Sequence, residues 1–406
     1  MNALRSEELV PRLTSREVYG SDIDETIATV ARQTRDTISF AVGSPAREAI
    51  ERVGAADLAR TAIERAGTAA LGYGITEGEP ELRALIAAEA TARGVPADPE
   101  QVIVTAGALQ AVDLVCRVLI RPGDVAVVEA PGFTNAVSAL RNHGARIVEV
   151  PVDDEGIDVT AAARMLRELG ARPALFFVVP TFQNPSGVST SFARRRQLLA
   201  LAASYGSVVV SDDPYARLRY CGAELPDLAA LGGDATVISI GSFSKVFLPG
   251  LRVGWAIADP ETVRAMARAK QTVDSSTSSL GQHMVMEFAR RGSFPEHVAW
   301  LRDLYRAKQE AAGRALAAHF GTEPGVSWNE PEGGFYRWVR FPEKVRARGL
   351  LDLALEEGVA FVPGDVFSAS GQFASCLRFS YSSPTPDRID EGVRRLRSAY
   401  QRLRSS

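Results

Sequence analysis

Short apolar runs rich in β-branched residues recur through the middle of the chain, with little alternation of polar and apolar positions. Runs of this kind are typical of strands that are buried on both faces of a sheet. The pattern predicts seven such strands, at residues 101–105, 124–129, 146–150, 174–179, 207–212, 236–240 and 252–258.

Several of these runs are separated by segments with a helical period. After Gly107, Leu109, Val112, Cys116 and Leu119 form one apolar stripe, and residues 191–205 carry a second. Strands that alternate with helices at this spacing predict an α/β domain with a mainly parallel, seven-stranded sheet.

The pattern changes near residue 290. A long helix is predicted at 294–319, strands at 335–339 and 377–381, and a charged helix at 386–403. Near the start, a helix is predicted at 22–32 and a short strand at 37–43. We therefore expect a large domain at 47–290 and a small α+β domain at 291–406. The N-terminal segment 1–46 is expected to form part of the small domain.

The composition excludes several classes of protein. Of the 406 residues, 46% are apolar and 23% charged, and the net charge of -3 gives no electrostatic reason to expect nucleic acid or a membrane as partner. No membrane-spanning run and no secretory signal pattern is present, so a cytoplasmic location is expected. Cys116, Cys221 and Cys376 are far apart and are predicted to behave as small apolar residues, and the scattered histidines predict no metal site.

One lysine stands in a setting suited to a phosphate-bearing aldehyde. Lys245 follows the predicted strand 236–240, where partial desolvation lowers an amine pKa and frees the nitrogen for imine formation. Ser242 and Ser244 offer hydroxyl donors, and Arg252 offers a planar fork for phosphate oxygens. The Pro-Gly at 249–250 lets the chain turn and bring Arg252 back towards the lysine.

Other predicted strands deliver complementary groups at their ends, where ligands bind in open α/β sheets. Asp212, with Tyr215 close behind it, offers a carboxylate that can keep a pyridine nitrogen protonated. Asn184 can donate to a ring oxygen. Gly107 opens a helix whose free amides can seat a phosphate, and Phe133 can stack on a flat ring.

In the order and context of these motifs, the chain resembles the fold-type I, class I/II aminotransferases, which use pyridoxal 5′-phosphate. It is most similar to the branch of 2-aminoadipate, kynurenine and aromatic or branched-chain aminotransferases, which also includes the aminotransferase-like half of MocR regulators. The resemblance runs from about residue 38 to the C-terminal helix. It implies amino transfer from an L-amino acid to a 2-oxo acid.

The resemblance also implies roles for individual residues. Lys245 would hold the cofactor as a Schiff base and move a proton, Asp212 would pair with the pyridine nitrogen, and Tyr215 and Asn184 would hydrogen-bond the ring oxygen. Phe133 takes the place of the family's stacking aromatic, usually Tyr. Phosphate binding is implied for Ser242, Ser244, Arg252 and the amides of Ala108 and Leu109.

For the substrate, Arg378 matches the arginine that binds the α-carboxylate as a bidentate pair, although a structural ion pair is the competing interpretation. Gly43 and Asn184 are expected near the substrate. Residues 41–46 depart from the Gly-Gly-Leu-Pro usual in the family. Tyr73 matches the tyrosine that reaches the neighbouring subunit's phosphate, which implies a homodimer with shared active sites. The segments 333–335 and 362–364 resemble others near the substrate entrance.

Three alternatives remain open at the level of sequence. The first is another reaction on the same fold: β- or γ-elimination or replacement, carbon–carbon bond formation, or oxidative deamination. The second is a ligand sensor like the regulator half, which is disfavoured because only about 37 polar residues precede the domain. The third is a serine acyl-transfer enzyme, because Ser242-x-x-Lys245 also fits its motif, but neither Lys-Thr-Gly nor Ser-Asp-Asn occurs in the chain.

Overall fold

The structure is a computed structural model and describes residues 18–31 and 36–405. Within these ranges, the strands in chain order are β1 (Ile38–Ser39), β2 (Val102–Thr105), β3 (Val125–Ala130), β4 (Arg146–Asp153), β5 (Gly156–Ile157), β6 (Pro173–Val178), β7 (Val208–Asp212), β8 (Thr236–Ser242), β9 (Gly254–Ile257), β10 (Ser327–Trp328), β11 (Tyr336–Arg340), β12 (Val359–Ala360), β13 (Val362–Pro363) and β14 (Cys376–Ser380).

The α-helices of the same ranges account for most of the remaining chain. They are α1 (Asp22–Ala31), α2 (Arg47–Arg52), α3 (Ala55–Ala66), α4 (Pro80–Ala92), α5 (Ala108–Leu119), α6 (Thr134–Asn142), α7 (Val159–Leu169), α8 (Phe192–Tyr205), α9 (Pro260–Gln271), α10 (Ser279–Arg290), α11 (Ser293–Phe320), α12 (Ala347–Glu356) and α13 (Pro386–Ser405).

The large sheet has the strand order β2-β9-β8-β7-β6-β3-β4-β5. Strands β4, β3, β6, β7 and β8 are parallel, whereas β9 is antiparallel to both β8 and β2. All seven predicted strands are present, and the mainly parallel α/β architecture is confirmed. The eighth strand, β5, is a two-residue addition, because Gly156 adopts φ 97° and lets the chain fold back antiparallel to β4.

Burial explains why these runs form strands. Every residue of β2 and β3 is buried, as expected where helices cover both faces of a sheet. Helix α5 buries Val112 and Cys116 as its stripe predicts, but Leu109 is 39% exposed. Leu109 lies in the first turn of this helix, where it lines a cavity at the edge of the sheet.

The C-terminal part of the chain builds a smaller antiparallel sheet with the order β10-β11-β14-β13. The predicted strand 37–43 is reduced to β1. Just beyond its end, the carbonyl oxygen of Phe40 accepts a hydrogen bond from the Ser380 amide. Strand β1 pairs in parallel with β12, with Ile38 opposite Val359, so this N-terminal segment contacts the C-terminal part. The domain boundaries at residues 46 and 290 stay a prediction.

Two smaller expectations have different outcomes. Cys116 and Cys376 are buried, as expected of small apolar residues, whereas Cys221 is exposed. It lies outside the regular elements, next to Tyr220, where Glu332 accepts hydrogen bonds from its amide and thiol. No helix among the described residues combines the length and apolar character needed to cross a bilayer.

Candidate active site

A cavity of about 440 Å³ lies at the carboxyl ends of strands of the large sheet, between that sheet and the small one. Twelve of the thirteen site residues expected from the sequence line it: Gly43, Ala108, Leu109, Phe133, Asn184, Asp212, Tyr215, Ser242, Ser244, Lys245, Arg252 and Arg378. Tyr73 is the exception, since its side chain is 96% exposed and lies outside this cavity.

Lys245 follows the end of β8 and reaches into this cavity. Its Nζ donates to the carbonyl oxygen of Gly43 at 2.8 Å and lies 5.7 Å from the ring centre of Tyr215. Burial lowers the pKa of Lys245, while Tyr336 and Asp212 act in the opposite direction. A lysine in such a setting can supply an uncharged amine more readily than a solvated one.

Asp212 ends β7 and lines the same cavity. Its Oδ1 is buried and has no hydrogen-bond partner among the described residues. Burial raises the pKa of Asp212 to about 7, and the neighbouring charge of Asp213 adds to the shift, whereas Lys245 opposes it. Asp213 itself accepts a hydrogen bond from Thr181 Oγ1 at 2.9 Å.

The proposed phosphate seat is formed where α5 begins. The chain turns through Pro249–Leu251 and brings Arg252 back, at φ 53°, so that its Nη1 lies 3.4 Å from Ser244 Oγ. Ser242 Oγ donates to Ser244 Oγ at 2.9 Å. Gly107, at φ 84°, precedes the helix, and a side chain there would collide with the Arg252 guanidinium.

Arg378 lies on β14 and is almost fully buried. Its Nη1 donates to Asn184 Oδ1 at 2.9 Å and its Nη2 to the carbonyl oxygen of Ala41 at 2.6 Å. Its Nε has no partner, and no carboxylate among the described residues pairs with it. The described residues therefore give no support to a structural ion pair of Arg378, and Asn184 Nδ2 stays available for another acceptor.

Sequence reasoning missed several residues that line this cavity. The largest is Tyr336, whose hydroxyl lies 3.1 Å from that of Tyr215. Its signal was its position directly after the segment 333–335, which had been placed near the substrate entrance. The others are Ile23, Asp24 and Ile27 of α1, with Val42, Ser44, Asn135, Val179, Pro214 and Pro249.

These groups fit pyridoxal 5′-phosphate. Asp212 Oδ1 is a buried acceptor without a donor, as expected opposite a protonated pyridine nitrogen. The start of α5, with Arg252 and the two serine hydroxyls, offers amide, guanidinium and hydroxyl donors for a phosphate. Lys245 lies in the same cavity.

Comparisons with known proteins agree with this geometry. The family model described as "Aminotransferase class I and II" matches residues 35–396. The chain is 40% identical to a 2-aminoadipate transaminase of Thermus thermophilus, over 90% of each chain. It is 35% identical to an aromatic-amino-acid aminotransferase of Thermococcus litoralis, over 93% of this chain and 90% of that one.

Solved structures extend the likeness to the whole fold. The crystal structure of the α-aminoadipate aminotransferase of Thermus thermophilus, complexed with N-(5′-phosphopyridoxyl)-L-leucine, superposes with a TM-score of 0.89 at 38% identity. The match covers 99% of this chain and 100% of that one.

Proposed function

The chain belongs to the class I and II aminotransferases, and from this premise we propose that its amino donor is an L-amino acid with an uncharged, largely apolar side chain. It is a fold-type I enzyme that uses pyridoxal 5′-phosphate and transfers an amino group to a 2-oxo acid. The observation that carries the residue assignments is that Lys245, Asp212 and Arg378 line one cavity.

Each group of the cofactor has a partner in this cavity. Lys245 would hold the aldehyde carbon covalently, and Asp212 would hold the protonated pyridine nitrogen. Tyr215 and Asn184 Nδ2 would donate to the ring oxygen, and Phe133 would cover one face of the ring. The phosphate would lie on Ser242, Ser244, Arg252 and the amides of Ala108 and Leu109.

When bound, the cofactor supplies an electron sink for the electron pair left at the substrate Cα. Lys245 is the group positioned to take the proton from Cα, because burial lowers its pKa and favours the uncharged amine. The carbonyl of Gly43 accepts from its Nζ and orients it within the cavity. Arg378 would bind the α-carboxylate and so fix which bond at Cα faces the lysine.

The lining of the cavity supports an uncharged side chain for the donor. Ile23 and Ile27 of α1 add apolar surface to this lining, as does Val42. Among the described lining residues, the cations are Lys245, Arg252 and Arg378. They are proposed to bind the aldehyde carbon, the phosphate and the α-carboxylate, respectively. An acidic side chain would therefore find no further cation there, whereas an apolar or aromatic one would bury its surface.

We also propose a dimeric assembly and a cellular compartment. Tyr73 is 96% exposed and lies between exposed Leu71 and Ile75, which suits a surface covered by a second copy of the chain. We propose that Tyr73 reaches the phosphate in the partner subunit of a homodimer. All three cysteines are unpaired, which supports a reducing, cytoplasmic compartment.

The test is a spectral titration of the holoenzyme with single L-amino acids, without any 2-oxo acid. Phenylalanine, leucine and 2-aminoadipate are the informative donors, and mass spectrometry identifies the cofactor form and the product. We expect phenylalanine or leucine to yield pyridoxamine phosphate and a 2-oxo acid at lower concentration than 2-aminoadipate. Preference for 2-aminoadipate would contradict the proposed donor class, and borohydride labelling of a lysine other than Lys245 would contradict the assignment of that residue.

A further inference from the structure

The described part of the chain contains two buried pairs of tyrosines whose hydroxyls contact each other, and one of these pairs borders the cavity. Tyr215 follows β7 and Tyr336 begins β11, and their hydroxyl oxygens are 3.1 Å apart. Tyr220 and Tyr381 lie outside the cavity lining, with 2.5 Å between theirs. All four side chains are at most 6% exposed. The two pairs share a contact between hydroxyls and differ in their position relative to the site. The hydroxyls of Tyr220 and Tyr381 also lie within hydrogen-bond distance of the carbonyl oxygen of Gly334.

The hydrogen-bond direction in the cavity pair follows from the number of protons. Each phenol carries one proton, and the proposed function directs that of Tyr215 to the cofactor's ring oxygen. The Tyr215 oxygen must then accept, so Tyr336 is the donor across the 3.1 Å contact. A phenol that accepts a hydrogen bond becomes a stronger donor, because successive hydrogen bonds polarise one another.

We propose that Tyr336 is a positioning residue that fixes and strengthens the hydrogen bond from Tyr215 to the cofactor. This inference rests on the proposed function, since it needs the ring oxygen in front of Tyr215. The Tyr336 side chain is 2% exposed, so water does not compete for its hydroxyl. A side chain on Gly43 would collide with that hydroxyl, so the loop 41–46 leaves room for it.

The ring of Tyr336 has a second contact. The Arg378 guanidinium carbon lies 4.5 Å from its ring centre, a distance at which cation–π attraction holds the guanidinium against the aromatic face. The hydroxyl and the ring thus act on different partners, Tyr215 and Arg378. Substitutions at residue 336 can separate the two effects.

The test compares holoenzymes in which only one hydroxyl is removed, Tyr336→Phe and the matched control Tyr220→Phe. The measurement is the pH midpoint of the visible absorption of the cofactor-bound enzyme, which reports protonation of the nitrogen that joins Lys245 to the cofactor. The other charged groups lining this cavity are Asp24, Asp212, Arg252 and Arg378, and both variants retain all of them.

In Tyr336→Phe we expect the midpoint to rise by about half a pH unit, because a weaker donor leaves more negative charge on the ring oxygen. Tyr220→Phe should keep the wild-type midpoint. Tyr336→Phe should also bind the unreactive carboxylate 3-phenylpropanoate as the wild type does, whereas Tyr336→Leu, which lacks the ring, should bind it about fivefold more weakly.

An unchanged or lowered midpoint in Tyr336→Phe would overturn the proposal, as would an equal rise in Tyr220→Phe, which would indicate a general effect of losing a buried hydroxyl. Failure of the proposed function looks different. In that case the wild type itself shows no visible cofactor band, or its band survives Lys245→Ala.

Discussion

Two parallel strands of the large sheet end in a buried carboxylate, and only one of the two belongs to the site. Asp212 ends β7 and Glu129 lies near the end of β3, with β6 between them. Each is 3% exposed, and each has one oxygen without a hydrogen-bond partner. Burial raises the pKa of Asp212 to about 7 and that of Glu129 to about 8.

The two carboxylates differ in whether their second oxygen accepts hydrogen bonds from the protein. Glu129 Oε2 accepts from the Val179 amide at 3.0 Å and from Gln183 Nε2 at 3.1 Å, so it ties two chain segments together. Asp212 lines the cavity and has no such donors. Burial and a raised pKa are therefore common to a structural and a functional carboxylate, and the adjoining cavity distinguishes them.

Neutralising each carboxylate in turn should separate the two most clearly. Asp212→Asn should lower kcat/KM on the order of a hundredfold, because the cofactor nitrogen loses the charge that stabilises its protonated form. Glu129→Gln should stay within about threefold, since a carboxyl with a pKa near 8 is already mostly neutral at pH 7 and Gln keeps its acceptor oxygen.

Steady-state kinetics with one donor and one 2-oxo acid checks this prediction at pH 7. Pyridoxal phosphate content must be measured for each variant, so that poor loading is not read as slow turnover. A loss in Glu129→Gln as large as that in Asp212→Asn would contradict the assignment of Glu129 to structure alone.

The stability of the apoenzyme gives the second contrast. For both groups the folded-state pKa is raised above the unfolded value of about 4, so their contribution is fully present below pH 4 and is lost as the pH rises. The loss is complete near pH 7 for Asp212 and near pH 8 for Glu129. At about 1.4 kcal/mol per unit of pKa shift, each group should lower the free energy of unfolding by on the order of 4 kcal/mol between pH 4 and 8.5.

Thermal unfolding of the apoenzyme across this range should give a steeper decline for the wild type than for either Asp212→Asn or Glu129→Gln. Cofactor binding should remove the contribution of Asp212, because the pyridine nitrogen then pairs with the carboxylate. The contribution of Glu129 should persist in the holoenzyme. Equal pH dependence of wild-type apoenzyme and holoenzyme would contradict the pairing of Asp212 with the cofactor.

Much of this site could be predicted from the sequence, because its chemistry lies at the ends of buried strands. The runs before Asp212 and Lys245 identify their strands, and parallel strands bring their carboxyl ends to one edge. Tyr336 could not be found this way. It lies on an antiparallel strand of the small sheet, 121 residues after Tyr215. Its contact with Tyr215 depends on how the two sheets pack together.

The lining from α1 was missed for a related reason. A helical period identifies an apolar face, but it does not say which surface that face covers. Ile23 packs with residues of the small sheet, including Trp338, and also borders the cavity.

The two-residue strand β5 was not predicted, because two residues carry no periodic signal.

The smallest effect we predict concerns what β3 contributes to the site besides Glu129. Phe133 follows this strand and lines the cavity with an aromatic face, where the family usually has Tyr. Phe133→Tyr keeps the stacking area, so kcat/KM should change by less than about threefold. The pH midpoint of the visible absorption should also stay, because the proposed donors to the ring oxygen, Tyr215 and Asn184, are untouched. The added hydroxyl could instead move this midpoint as far as Tyr336→Phe is expected to. In that case the residue after β3 contributes a polar contact to the cofactor. The ends of β3 and β7 would then differ less in function than Glu129 and Asp212 indicate.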